Sequence, residues 1–290
     1  MAYHIGRICH EYSGLSVRVV GSKRHHPAYF NYPYDFPVIT VAEMEHEIMD
    51  EDIFICNPSF SKNMFGLRIS GKKVCYVQGT ATFIALDAFF DTYVFVSHFV
   101  KDFILRYYGI QGPIINAFIE VEIFNKGKKW EERKDSVMVF FHKDIILHLF
   151  KKFEAIYRRK YPSSPIHFET YRNLNQRELA EIMGSHKYYL ALSPVEGFGL
   201  PALEAMASGC AIAGFDAWGG KDYFKHNINA MVTDYPGIET VADYLFEITQ
   251  NERKARQLAE NAHIDAQYFN KKRYDDQWTD ILKELVGKNL

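Results

Sequence analysis

The 290-residue sequence has little cysteine, with one each at positions 9, 56, 75 and 210. No two of them form a C-x-x-C pair, so neither a zinc knuckle nor a redox dithiol of that kind has support. Their apolar surroundings, as around Cys56 and Cys75, fit buried free thiols, with two non-local disulfides left open. No apolar run reaches the roughly 18 residues a bilayer span needs. The opening residues, Met1 to Arg7, have no apolar segment behind a basic start, so no signal peptide is read there. The expected location is the cytoplasm. An excess of positive charge is missing too, since 34 Lys and Arg face 36 Asp and Glu and leave a net charge of −2. Without a cationic field, nucleic acid is not an expected partner. What the chain does have is 48% hydrophobic and 24% charged residues, an ordinary balance for a soluble globular protein. Its 23 Phe and 19 Tyr read as core rings. At about 150 residues per domain, the length predicts two domains.

Short apolar runs alternate with longer amphipathic ones. Val17–Val20, Asp52–Cys56, Lys73–Val77 and Tyr93–Val96 read as strands, with Pro113–Ile115 as a candidate fifth, and Tyr3–Tyr12, Ala42–Asp50 and Ser97–Tyr108 as helices. The second half repeats the pattern. Val137–Phe141, Ile166–Phe168, Tyr188–Leu192 and Ala211–Phe215 read as strands. Ile145–Arg159, Asn175–Gly184, Pro201–Ser208, Thr240–Phe269 and Lys271–Leu285 read as helices. Continuous apolar strands between helices predict an α/β protein with parallel sheets covered on both faces. The polar stretch 125–135 is expected to link two doubly wound domains facing across a cleft. The first is residues 1–124 plus the terminal helix 271–290; the second is residues 136–270. The first domain opens on a helix where a strand and turn would normally come, so it is expected to be shortened at its N-terminus.

The chemistry concentrates between Leu190 and Gly209. An apolar strand ends at Ser193 and Pro194, and a loop with Gly197 and Gly199 lets backbone approach a ligand closely. Pro201 stands at a first helical turn, where its missing N–H is not needed, and Gly209 ends the helix. Free backbone N–H groups and a positive helix end then converge on one point, an arrangement suited to phosphate. Glu196 and Glu204 flank that point. Carboxylates aimed at a phosphate would repel it, so each is expected to accept hydrogen bonds from hydroxyls, one on a ribose and one on a sugar. A nucleoside-diphosphate sugar fits this description.

The run from Glu196 through Gly197, Phe198, Gly199, Leu200 and Glu204 to Gly209 resembles the signature of retaining glycosyltransferases of family 4, which have the GT-B fold. Similarity continues through Gly219, Gly220 and Asp222 and through Asn229 to Val232. In the first half Val94 to Lys101, and Ile114 to Phe124, resemble collinear steps of the family. The resemblance implies that Glu204 holds the ribose hydroxyls, that Glu196 contacts the transferred sugar, and that Gly197 to Leu200 offer N–H groups to sugar and diphosphate. It implies that the base lies near Thr170 and Tyr171, that Gly219 and Gly220 form a second turn at the site, and that no metal or other cofactor is needed.

Some family features are absent. The Gly-Arg pair and following Lys-Gly after the first strand of the second domain are replaced by Phe141, His142, Lys143 and Asp144, leaving Lys143 as the candidate phosphate cation. Where the family has a histidine near the sugar, Gln78 or Thr80 stands as the hydrogen-bonding substitute. The expected function is transfer of a sugar, with retention, from a nucleoside-diphosphate donor to a hydroxyl on a glycan, lipid-linked or polysaccharide acceptor. Glu196 and Lys143 carry the chemistry in this reading. The alternative is a catalytically silent nucleotide-sugar-binding subunit working with a partner. A basic cluster of Arg18, Lys23, Arg24, His25 and His26 could bring the protein to an anionic membrane surface, although a solvated loop is the plainer reading. The oligomeric state is not legible.

Overall fold

The computed structural model describes residues 2–21, 35–79, 86–125 and 127–287. The chain forms two compact units. One comprises Met1–Val96, Val100–Ala117 and Lys272–Leu290, the other Ser97–Phe99 and Phe118–Lys271.

The first unit contains α1 (Ala2–Ser13), β1 (Val19–Gly21), β2 (Val38–Thr40), α2 (Val41–Glu47), β3 (Ile53–Cys56), α3 (Phe65–Arg68), β4 (Lys72–Val77), β5 (Thr92–Phe95) and most of α4 (His98–Tyr108). Its strands form two parallel sheets, β1–β2 and β3–β4–β5. The strand β2 was not anticipated. It is three residues long, and its last residue, Thr40, caps α2 in a reciprocal box with Glu43. The candidate strand at Pro113–Ile115 reduces to one parallel bridge between Ile114 and Phe95. Of the predicted basic cluster, Arg18 pairs with Glu47. Lys23, Arg24, His25 and His26 lie outside the described residues, as does Thr80.

The second unit runs β6 (Lys134–Phe140), α5 (Asp144–Lys160), β7 (His167–Tyr171), α6 (Gln176–Ser185), β8 (His186–Ala191), α7 (Leu200–Ala207), β9 (Ala211–Phe215), β10 (Met231–Thr233), α8 (Ile238–Gln250) and α9 (Glu252–Ala266). The last helix, α10 (Lys271–Val286), belongs almost entirely to the first unit. The five strands pair in parallel in the order β10–β9–β8–β6–β7. The chain starts at β6, steps out to β7, then crosses back to β8 and continues the other way. The reversal between β6 and β8 is the switch point at which open α/β sheets leave a crevice beyond their strand C-termini.

Sequence periodicity explains the layers. Ile146, Leu149, Phe150, Phe153 and Tyr157 recur at helical spacing along α5 and bury one face. Ile146, Phe150, Phe153 and Tyr157 pack with Val137, Val139 and Leu190 of the sheet and with Val241, Leu245 and Ile248 of α8. Phe153 is fully buried, which stabilises the unit by on the order of 2 kcal/mol. The single helix predicted over Thr240–Phe269 is two helices. Asn251 ends α8 and caps α9 by accepting a hydrogen bond from the Lys254 N–H at 3.0 Å. Residues 125–135, expected as a polar linker, contain a 3-10 turn at Trp130–Glu132 and the first residues of β6. Trp130 is buried against Tyr188 and donates its indole N–H to Glu252 at 3.0 Å. No helix among the described residues is long and apolar enough to cross a membrane.

Candidate functional site

Three segments meet beyond the C-termini of β6 and β8. The first follows β6 and carries His142 and Lys143, the residue before α5. The second, Ser193 to Leu200, joins β8 to α7. The third, Asp216 to Asp222, follows β9. The last two are stitched by backbone, since the Glu196 N–H donates to the Ala217 carbonyl at 2.9 Å and Glu196 and Trp218 form a parallel bridge. Gly219 makes the closeness possible. A Cβ there would lie 2.4 Å from the Gly197 oxygen and 2.6 Å from the Glu196 oxygen. Only a residue without a side chain fits.

Gly199, with φ +93°, caps α7 in the left-handed region that favours glycine. Its carbonyl accepts the Tyr223 hydroxyl at 2.7 Å, while Phe198 is buried edge-on against Tyr223 and Phe269. The Gly197 carbonyl accepts the Ser97 hydroxyl at 2.6 Å. The loop therefore has its carbonyls tied back and its helix end open, with Pro201 in the first turn. This is the geometry in which helix N–H groups face an anion.

Glu196 is the electrostatic centre. Its Oε1 accepts the Lys143 ammonium at 2.6 Å, the Ser193 hydroxyl at 2.5 Å and His142 Nε2 at 3.1 Å. Burial alone would raise this carboxyl, but the hydrogen bonds from His142, Lys143 and Ser193 outweigh it and hold the group at about 2. Glu196 is therefore a carboxylate at any ordinary pH. The other ring nitrogen of His142, Nδ1, is buried with no hydrogen-bond partner.

Glu204, one turn into α7, has the opposite character. No hydrogen bond or ion pair holds its carboxyl among the described residues. Burial, and to a lesser degree the neighbouring Glu120 carboxylate, push it up to about 7. Two carboxyls eight positions apart in one loop and helix are thus shifted in opposite directions from the ordinary value.

Of the residues predicted for the site, the structure brings together Lys143, Glu196, Gly197, Phe198, Gly199, Leu200, Glu204, Gly219 and Gly220 in the second unit. Thr170 and Tyr171 end the neighbouring strand β7, where Tyr171 pairs with Phe140 of β6. Thr170 is exposed, and the Tyr171 hydroxyl donates to Glu169 at 2.6 Å. Gln78 belongs to the first unit, one residue past β4, and lines that unit's own pocket with Tyr76 and Cys56. The sequence did not single out Ser193 or Tyr223 as site residues, and His142 stood only as part of an absent motif. Ser193 follows the strand at the place where polar site residues are expected, which is the signal it offered. Nothing in the sequence joined Tyr223 to Gly199.

Residues 164–265 match the model of a family described as glycosyl transferases group 1. A curated relative, the GtfA subunit of a UDP-N-acetylglucosamine–peptide N-acetylglucosaminyltransferase from Streptococcus parasanguinis, is 27% identical over 119 residues. That alignment covers 38% of this chain and 23% of the relative, so the chain matches less than a quarter of that protein's length. Among solved structures, sucrose-phosphate synthase from Thermosynechococcus elongatus superposes with a TM-score of 0.73 at 11% identity, over 98% of this chain and 92% of that one. Anabaena Alr3699/HepE, solved with UDP and glucose, superposes at 0.68 with 14% identity, over 86% and 87%. At these identities the likeness is one of fold, the α/β GT-B fold with parallel sheets. The family match over the second unit and the shared fold together support a glycosyltransferase.

Proposed function

We propose that the protein transfers a sugar from a nucleoside-diphosphate donor to a hydroxyl acceptor, with retention at the anomeric carbon and without a metal. The observation that carries this reading is the junction at the switch point, where an open helix end, a lysine and two carboxylic groups of unlike character meet. In the proposal the diphosphate lies against the N–H groups from Gly197 to Leu200, with Gly219 and Gly220 forming the turn beside it. Glu204 accepts hydrogen bonds from the ribose hydroxyls, and the base lies toward Thr170 and Tyr171. Glu196, held as a carboxylate, accepts hydrogen bonds from the transferred sugar. Gln78 would supply a hydrogen bond on the acceptor side, and the acceptor is a glycan, polysaccharide or lipid-linked sugar.

As the glycosidic bond breaks, negative charge grows on the leaving diphosphate. Lys143 and the α7 helix end stabilise that charge, and such preorganised electrostatics is usually the largest catalytic contribution. The acceptor hydroxyl attacks from the face the diphosphate leaves, and its proton passes to the departing phosphate oxygen. That route needs no separate base and explains retention.

Incubation with a panel of uridine and guanosine diphosphate sugars, following release of free nucleoside diphosphate, tests the proposal. One donor is expected to turn over, with anomeric configuration kept in the product, and Glu204→Ala is expected to lose that turnover. Tight donor binding with no transfer to any acceptor would instead favour the silent subunit.

A further inference from the structure

Cys56 and Cys75 lie 19 positions apart in sequence but opposite one another in the first unit. Cys56 is the last residue of β3, Cys75 the fourth residue of β4, and the two are register partners in the parallel ladder. Partners on adjacent strands stand about 5 Å apart at Cα, and their side chains leave the sheet on the same face. A disulfide spans Cα separations of roughly 4.4–6.8 Å. The same rung continues to Tyr93 of β5, and on that side Tyr93 packs near Phe90, and Phe90 near Phe54. The thiols interact, and the Cys56 neighbour together with burial pushes the Cys75 thiol up. Access differs. Cys75 is buried, whereas Cys56 is half-buried and lines the pocket of this unit.

We propose that Cys56 and Cys75 form a reversible peroxide-sensitive dithiol, with Cys56 oxidised first and Cys75 resolving it. The Cys56 sulfur attacks one oxygen of hydrogen peroxide, the O–O bond breaks, and Cys56 becomes a sulfenic acid with release of one water. The Cys75 sulfur then attacks the Cys56 sulfur, the S–O bond breaks, and the hydroxyl leaves with the Cys75 proton as a second water. In sum two thiols and one peroxide give one disulfide and two waters, and a small thiol reverses the change by exchange. The bond would tie β3 to β4 near the C-terminal edge of their sheet, in the wall of the pocket.

The test uses the full chain, oxidised under native conditions with a slight excess of hydrogen peroxide, alkylated and digested. The expected result is a mass decrease of two hydrogens and a Cys56–Cys75 linked peptide that disappears with dithiothreitol, while Cys210 stays alkylatable only after unfolding. Cys75→Ser is expected to trap the sulfenic acid on Cys56 as a dimedone adduct, several-fold above wild type. Linkage of Cys56 to Cys9, or conversion of Cys56 to the sulfinic acid while wild-type Cys75 remains a free thiol, would overturn the proposal. The wild-type peptide map decides the matter even if the serine variant folds poorly.

Discussion

Glu204→Gln separates stability from binding at a single atom. The folded carboxyl lies at about 7 against an ordinary value of 4.5. A group whose folded value is raised stabilises fully below the unfolded value, and that stability is lost as pH climbs through the folded one. The wild-type protein therefore loses stability relative to the glutamine variant across the window from about pH 4.5 to 7. The full gap corresponds to about 3 kcal/mol, of which about 1 kcal/mol has appeared by pH 5. At roughly 2–4 °C per kcal/mol for a unit of this size, Glu204→Gln should melt about 6–12 °C above wild type at pH 8. At pH 5 the gap should shrink to about 2–4 °C, and below pH 4 it should close. Differential scanning fluorimetry across that range measures it. If Glu204 holds the ribose as proposed, uridine diphosphate should then reverse the order of benefit, because two ribose hydroxyls would stabilise the ionised wild-type carboxylate and the amide could not replace both acceptors. Calorimetry in buffers of different ionisation enthalpy should show wild type releasing about half a proton more than the variant on binding at pH 7. Parallel pH–stability curves for the two proteins would refute the reasoning, since they would mean that Glu204 ionises freely in the fold.

Further outcomes follow from neighbouring contacts. Lys143→Ala should lower turnover roughly 100-fold in a steady-state assay, by analogy with loss of one preorganised donor. Glu196→Gln should remove stability that the wild type holds above about pH 4.5 and loses as the pH falls towards 2, so acid unfolding curves should converge at low pH and separate at neutral pH. Gly219→Ala forces a Cβ to 2.4 Å from a backbone oxygen. It should push the two site loops apart and abolish nucleotide binding in a titration, with circular dichroism retaining the helices. Asn251→Ala should cost about 1 kcal/mol in denaturant unfolding, through loss of the α9 cap.

The second unit was more legible than the first because most of its strands and helices are long. Five buried positions at helical spacing announce α5, β9 is a continuous apolar run, and β8 becomes one from Tyr188 onward. By contrast β2 and β10 have three residues each, too few for any period to show. The break at Asn251 was hidden because apolar periodicity runs through both helices, and only the side chain's capping hydrogen bond reveals the stop. The loop from Glu196 to Gly209 could be read as an anion site because its glycines and proline act locally. The charge states could not. Glu196 owes its low value partly to His142 and Lys143, over fifty positions earlier, and Glu204 its high one to burial that only the folded unit provides. Cys56 and Cys75 looked like two unrelated thiols until strand register set them side by side.

Ser97, His98 and Phe99 belong to the second unit although the residues on either side belong to the first. Ser97 holds the Gly197 carbonyl, His98 meets Asp222, and Phe99 sits edge-on to Trp218. A gene fragment cut at residues 118–271 would preserve every strand of the five-stranded sheet yet leave the glycine loop without those three props. Anyone trimming the protein for crystallisation, or grafting its second unit onto another scaffold, would need to supply that tripeptide from elsewhere in the chain.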